Sequence, residues 1–254
     1  MNKNMNELYH KPNIFNQFPN IIAAQSTRNG GVSEAPFGSL NLSFRVGDSE
    51  ENVIENRKRF FNGQGIDLQQ LATSHQVHGD KILYAIEPGD YDGFDALITN
   101  RHHVFVTVSV ADCTPILLYD AENEVVAAIH AGWRGTVDGI VYKTLETMQD
   151  HFGTNAQNCY AYIGTCIDEC SYEVDADVAD HFPNEFKRFD DKLNKFFVDL
   201  KAGNKDQLLE FGIPESQIEI SPFSTVLHNH DFFSHRAEKG KTGRMMAVIG
   251  MHSM

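Results

Sequence analysis

The sequence predicts an α+β fold in which helices pack outside one or two sheets of mainly antiparallel or mixed strands. Three observations point there. The middle of the chain holds β-branched and aromatic runs at 81–87, 104–110, 115–119 and 125–129, separated by breaks too short for parallel crossovers, so hairpins are expected. Apolar residues at helical spacing recur in several separate segments rather than in one block. The 254 residues contain no repeat, low-complexity tract or Pro/Gly/Ser linker, and they read as one domain spanning residues 1–254.

The elements follow in order. Residues 20–26 read as a strand running into the turn Arg28-Asn29-Gly30-Gly31, where paired glycines allow positive φ. Asp48 followed by Glu51 gives a capping-box-like start to a helix whose stripe is Val53, Ile54, Arg57, Phe60 and Phe61 and whose end lies near Gly63. After the central strands, Thr136 is placed to cap a helix carrying Val137, Ile140, Val141, Leu145 and Met148 as far as Gly153. A strand at 159–163, helices at 175–182 and 199–211, and strands at 218–220 and 244–249 complete the reading.

Charge and composition exclude several function classes. Lys+Arg 21 against Asp+Glu 35 gives a formal charge of −14, so the overall field repels nucleic-acid backbones and anionic membranes, and neither is expected as a partner. An anionic substrate then needs a local basic pocket. The first thirty residues hold no apolar run of signal-peptide length and nothing later is long enough to span a bilayer, which predicts a cytoplasmic protein. Four cysteines are too few for a disulfide scaffold and are expected to be buried, reactive or metal-bound thiols.

The segments that carry chemistry are Gln76-Val77-His78-Gly79, Ala111-Asp112-Cys113-Thr114-Pro115 and Ile129-His130-Ala131-Gly132-Trp133-Arg134-Gly135. Each places a metal-binding side chain at a predicted strand edge beside a turn, where separate strands can converge. His78, Cys113 and His130 make a two-imidazole, one-thiolate set suited to zinc, with a fourth tetrahedral position left for water or substrate. The competing reading is three unrelated residues: one cysteine buried as a small hydrophobe and two of twelve histidines in ordinary places. Asp112 reads as a structural or ligand-orienting carboxylate, and Trp133 as packing. The end of a P-loop suggested by Glu238 to Thr242 fails, because His235 stands where the first glycine is needed. Cys166 and Cys170 do not make the deaminase spacing and read as structural thiols.

The strings SHQVHGD, ADCTPILLYD, HAGWRGT, CSYEVDADV and FFSHRAEKGKTGRMMAVIG, preceded by STRNGGVSEAPFGSLNLSFRVGD, resemble the signatures of the laccase-domain family over nearly the whole chain. Members are described as purine nucleoside phosphorylases and, in some bacteria, as peptidoglycan editing factors. The resemblance implies a layered α/β/β/α sandwich similar to the catalytic domain of cytotoxic necrotizing factor. It also implies Zn²⁺, with Cu²⁺ second to it, held by His78, Cys113 and His130, which would then be the catalytic centre. Departures occur at Gly164-Thr165, where Gly-Pro is expected, and at Ser224-Thr225, where Cys-Thr is.

The implied reaction joins a purine nucleoside (adenosine, inosine, guanosine or methylthioadenosine) and phosphate to give base and ribose 1-phosphate, with adenosine deamination as a further activity. A peptidoglycan-precursor editing hydrolase is the alternative, and a copper-dependent polyphenol oxidase ranks below it, since His228-Asn229-His230 is the sole His-x-His element. Phosphate needs planar, multiply donating cations, for which Arg28, Arg134 and Arg244 are the expected contacts and Arg236 is as suited to a surface ion pair. Asn41 and Gln76 are placed to bond base or ribose, or else to brace turns.

Overall fold

Along residues 8–253, which the computed structural model describes, the chain first forms β1 (Tyr9–His10), β2 (Ile21–Ser26), α1 (Glu50–Asn62), β3 (Leu71–His75), β4 (Ile82–Tyr84), β5 (Gly89–Asp92), β6 (Ala96–Thr99), β7 (Phe105–Val110), β8 (Thr114–Asp120) and β9 (Val125–Ala131). There follow α2 (Trp133–Val137), α3 (Ile140–Phe152), β10 (Cys159–Ile163), β11 (Glu173–Val174), α4 (Ala176–Ala179), β12 (Lys187–Asp190), β13 (Lys195–Val198), α5 (Leu200–Phe211), β14 (Ile218–Ile220) and β15 (Met245–Met251). One six-stranded sheet has the order β1-β2-β15-β7-β3-β5, a second has β14-β10-β8-β9-β6-β4, and a small third has β11-β13-β12.

Alternation along the strands sets the layers. On β9, Val125, Ala127 and Ile129 pack with Ile140, Val141, Leu145 and Met148 of α3 and Leu208 of α5. Val126 and Ala128 point the other way and meet Val106, Val108, Ala247 and Ile249 of the first sheet. On the other face of β15, Met246 and Val248 pack with Phe60 and Phe61 of α1. The order is therefore helix, sheet, sheet, helix, as the resemblance implies. Leu117 is fully buried between the sheets, and truncating such a side chain to alanine costs about 2–5 kcal/mol.

Hairpin pairing holds for β8 and β9, which are antiparallel from Thr114↔Ala131 to Asp120↔Val125. The sheets are nonetheless mixed: β3 runs parallel to β5 and β7, β4 to β6, and β10 to β14. A short connection does not require a hairpin when consecutive strands belong to different sheets, and β7 passes directly from the first sheet to β8 in the second. Expectation also missed β3, β5 and β6, and only Ile82–Tyr84 of the 81–87 run is a strand.

Three helix expectations need correction. Ser49, not Asp48, caps α1 by accepting from the Asn52 amide, while the Asp48 carboxylate accepts from Ser33, Asn41 and the Ser49 amide. Thr136 does not start the next helix: it lies inside α2, which Gly132 caps, and Gly139 at φ +76° breaks the chain before α3. The first amides of α3 are met instead by Gln207 of α5, whose Oε1 accepts from Val141 and Tyr142. The 175–182 helix shrinks to α4 and a following turn.

Candidate metal centre and cleft

Both sheets contribute to one site. His78 lies in the loop after β3 of the first sheet, Cys113 lies in the crossing from β7 to β8, and His130 lies on β9 of the second. His130 shares strand parity with Val126 and Ala128, so its ring falls on the face between the sheets, and it is 3% exposed. The potential ligand atoms of His78, Cys113 and His130 lie within 4.8 Å of one another. No other group of three or more such residues occurs among the described residues.

The organiser of this cluster is Asp95, which sequence reasoning missed. Its fully buried carboxylate accepts from the amides of Val77 (3.1 Å), His78 (3.0 Å) and Gly79 (2.8 Å), and so ties down a turn in which His78 adopts φ +58°. The same carboxylate meets His130 Nδ1 at 2.8 Å, which leaves Nε2 for the cluster. A carboxylate behind a ligating imidazole fixes ring orientation and raises basicity, so the donor set fits a metal of zinc type. Burial pushes the Asp95 carboxyl up, but the bonds from His130 and the amides outweigh it and hold it below its usual range.

Thiol and imidazole perturb each other in the same sense. Burial raises the Cys113 thiol, but the facing charge of His130 and hydrogen bonds from His130 and His78 outweigh it, so the thiol is held low. Burial lowers the His130 imidazole, but the Cys113 charge and the Asp95 bond raise it overall. A thiolate facing an imidazolium is the arrangement from which a cation displaces protons. Asp112, at φ +86°, accepts from the Thr225 hydroxyl at 2.5 Å and the Arg236 amide at 2.6 Å, binding the 225–236 loop beside Cys113.

The cluster opens into a cleft of about 1000 Å³, at the upper end of small-molecule sites. Of the expected contacts, Gln76, Arg134, Arg236 and Arg244 line it, and Arg28 and Asn41 do not. Arg28 donates to the carbonyls of Gly38 and Asn229 and pairs with Glu238 at 3.0 Å, so it braces the loop that carries His235 and Arg236. Asn41 is fully buried and joins Ser43, Asp48 and the Arg244 amide. Gln76 spends both ends of its amide on the Ser109 backbone.

Most arginines on the cleft wall lack an acidic partner. Arg57, Arg134, Arg236 and Arg244 have no carboxylate within 4.0 Å among the described residues, whereas Arg45, also on the wall, pairs with Asp90 at 3.5 Å. Arg244 donates to the carbonyls of Thr242 and Gly243, and burial lowers its pKa despite the opposing charges of Cys113 and Asp112. Arg134 stacks over Trp133 at 4.4 Å and Arg236 lies 5.4 Å from the Tyr172 ring. Phe44, Arg45 and Arg57 were missed as wall residues, although an arginine on the apolar stripe of α1 was itself a signal.

Comparison with known proteins agrees with this architecture. Residues 22–252 match the family described as multi-copper polyphenol oxidoreductase laccase. A protein of Bacteroides thetaiotaomicron named purine nucleoside phosphorylase is 35% identical over 92% of this chain and 93% of its own length. One of Deinococcus radiodurans with the same name is 37% identical over 92% and 91%. The crystal structure of YlmD from Geobacillus stearothermophilus superposes with a TM-score of 0.90 at 31% identity, covering 97% of this chain and 100% of that one.

Proposed function

Because the chain belongs to the multi-copper polyphenol oxidoreductase laccase family, whose relatives here carry the name purine nucleoside phosphorylase, we propose that it is a zinc-dependent purine nucleoside phosphorylase acting as one cytoplasmic catalytic unit of residues 1–254. The observation that carries this reading is charge placement. In a chain of net charge −14, Arg134, Arg236 and Arg244 line the cleft beside the His/Cys/His cluster with no carboxylate within 4.0 Å among the described residues. Arg244 and Arg236 spend one nitrogen each on backbone carbonyls, and guanidinium groups that no carboxylate neutralises collect a phosphate by charge-assisted, bidentate bonds.

In the reaction a phosphate oxygen bonds to C1′ of the ribose, the C1′–N9 bond breaks, and its electron pair leaves on the purine, which takes up a proton. The arginines hold the phosphate and oppose its repulsion by the acidic surface. Asp95 holds His130 and the His78 turn in the geometry of a metal site. Zinc bound by His78, Cys113 and His130 would supply Lewis acidity and an acidified water. Adenosine deamination is part of the proposal as a second activity, read out as ammonia release.

The low-lying Cys113 thiol supports one other reading, a peptidoglycan-precursor editing hydrolase in which that sulfur is the nucleophile. A copper-dependent polyphenol oxidase draws less support, because the described residues hold a single three-ligand cluster. No helix among them is long and apolar enough to cross a membrane. The test is metal-assayed protein with adenosine, inosine, guanosine and methylthioadenosine, with and without phosphate. Ribose 1-phosphate formed in step with free base supports the proposal. Base release indifferent to phosphate defeats it, and L-serine released from a muropeptide precursor without any base release selects the hydrolase.

A further inference from the structure

Three aromatic rings on the cleft wall each have a guanidinium stacked on them: Trp133 with Arg134, Tyr172 with Arg236, and Phe44 with Arg57. Trp133 and Tyr172 also pack against the apolar cluster of Ile167, Val174 and Leu200, which accounts for their burial. Phe44 belongs to none of the apolar clusters among the described residues and is 44% exposed. An isolated exposed phenylalanine on an open surface needs no explanation, but this one lines a cleft beside a metal-type centre.

The ring is also held in place. Arg57 lies over it, 4.4 Å from the ring centroid, and is anchored by Nε to the Leu42 carbonyl at 2.8 Å. Burial lowers the Arg57 pKa to about 10, against the opposing charge of Asp90. Its loop is fixed on both sides: the Asn41 side chain bonds Ser43 at both backbone atoms, and the Ser43 hydroxyl accepts from the Arg45 amide at 3.1 Å. One face of the ring is therefore given to a cation while the ring stays open to the cleft, in a conformation that costs little further ordering on binding.

Beside the ring, Asp90 accepts from the Thr73 hydroxyl at 2.9 Å and faces Arg45 at 3.5 Å, so a carboxylate, a hydroxyl and a guanidinium share this part of the wall. A flat heteroaromatic ring with donors and acceptors along its edge matches that combination better than an aliphatic or purely anionic group does. We propose that Phe44, backed by Arg57, is the platform on which the purine base of the substrate stacks. The proposal rests on the nucleoside reading of the site, and it makes Phe44 a binding determinant separate from the phosphate arginines.

The test compares zinc-loaded wild type with Phe44→Ala and Phe44→Trp. Free hypoxanthine and adenine binding is measured by calorimetry, and KM is measured separately for nucleoside and for phosphate. Phe44→Ala is expected to weaken base binding and raise nucleoside KM about five- to hundredfold, with phosphate KM unchanged and Phe44→Trp restoring both. If Phe44→Ala binds free base and nucleoside as wild type does while phosphorolysis continues, the platform is wrong and the reaction reading stands. If base binding depends on Phe44 but wild type performs no phosphorolysis, the platform stands and the reaction reading falls. A wild type that binds neither free base overturns the platform outright.

Discussion

The two ends of the cleft handle charge in opposite ways. Around the cluster the protein answers its own charge: Asp95 receives three amides and an imidazole, and Cys113 faces two imidazoles. Along the wall, Arg57, Arg134, Arg236 and Arg244 have no carboxylate within 4.0 Å among the described residues, in a chain that carries 35 acidic residues. The first arrangement fixes geometry before any ligand arrives, while the second keeps binding capacity in reserve for an external anion or ring. Substitutions at the two ends should therefore fail differently. At the cluster, metal and activity fall together, and on the wall substrate constants change while metal content holds.

The sharpest separation comes from Cys113→Ser. A neutral hydroxyl replaces a thiolate already held low by its neighbours, so metal affinity should drop by at least about a hundredfold and turnover should vanish with it. Metal analysis after dialysis and a phosphorolysis assay read both quantities. Retained metal with lost turnover would break the comparison by making the sulfur a nucleophile, as the hydrolase reading requires.

Asp95→Asn tests whether the partner behind His130 matters as much as the ligands. The amide keeps the shape of the carboxylate but turns one oxygen, which now faces N–H groups, into a further donor. A loss of about ten- to hundredfold in metal affinity is expected, since partners of ligating histidines commonly contribute that much. Competition with a chelator measures it. Unchanged affinity would reduce Asp95 to a fold residue.

On the wall, Arg134→Ala should raise the phosphate KM by roughly one to two orders of magnitude, the loss of a charge-assisted contact worth about 1.5–3 kcal/mol, with metal content unaltered. Arg134 is an exposed residue of α2 whose guanidinium stacks on Trp133. If phosphate dependence is unaltered in the folded, metal-loaded variant, the phosphate site passes to Arg236 and Arg244.

The same contrast explains what could be read before the structure. His78, Cys113 and His130 were visible because ligand chemistry restricts residue type, and Cys113 and His130 because they also lie at the ends of strands whose apolar pattern was plain. The central strands and α5 followed from periodicity that buries one face or both. Asp95 was hidden because an aspartate before a short apolar strand looks like a turn residue, and its four donors come from turns and strands distant in sequence. Arg28 and Asn41 stood inside striking motifs, yet they spend their bonds on loop carbonyls and carboxylates. Motif membership reports that a segment shapes the site, not that each side chain reaches it. The division of strands between two sheets was equally out of reach, because the short break of a hairpin looks like the short break between layers.

The smallest effect, and the finest probe of the rigid end, is expected from Gly132→Ala. A Cβ there would lie 3.2 Å from Cys113 Sγ and 3.2 Å from His78 Cδ2, closer than comfortable van der Waals contact. Backbone strain is not the obstacle, since φ −73° and ψ 178° suit alanine. The sulfur or the ring must give by a few tenths of an ångström, comparable with the tolerance of about ±0.2 Å on metal–ligand distances, so metal affinity should fall by about three- to tenfold. Gly132 also caps α2, and alanine is a poor cap, so Gly132→Ser separates the two causes: it restores a capping hydroxyl but carries the same Cβ. Equal losses in both variants, measured by chelator competition, assign the effect to crowding at the ligands. Recovery in the serine variant assigns it to the helix start, and no loss in either shows that the cluster is less tightly preset than its Asp95 bracing implies.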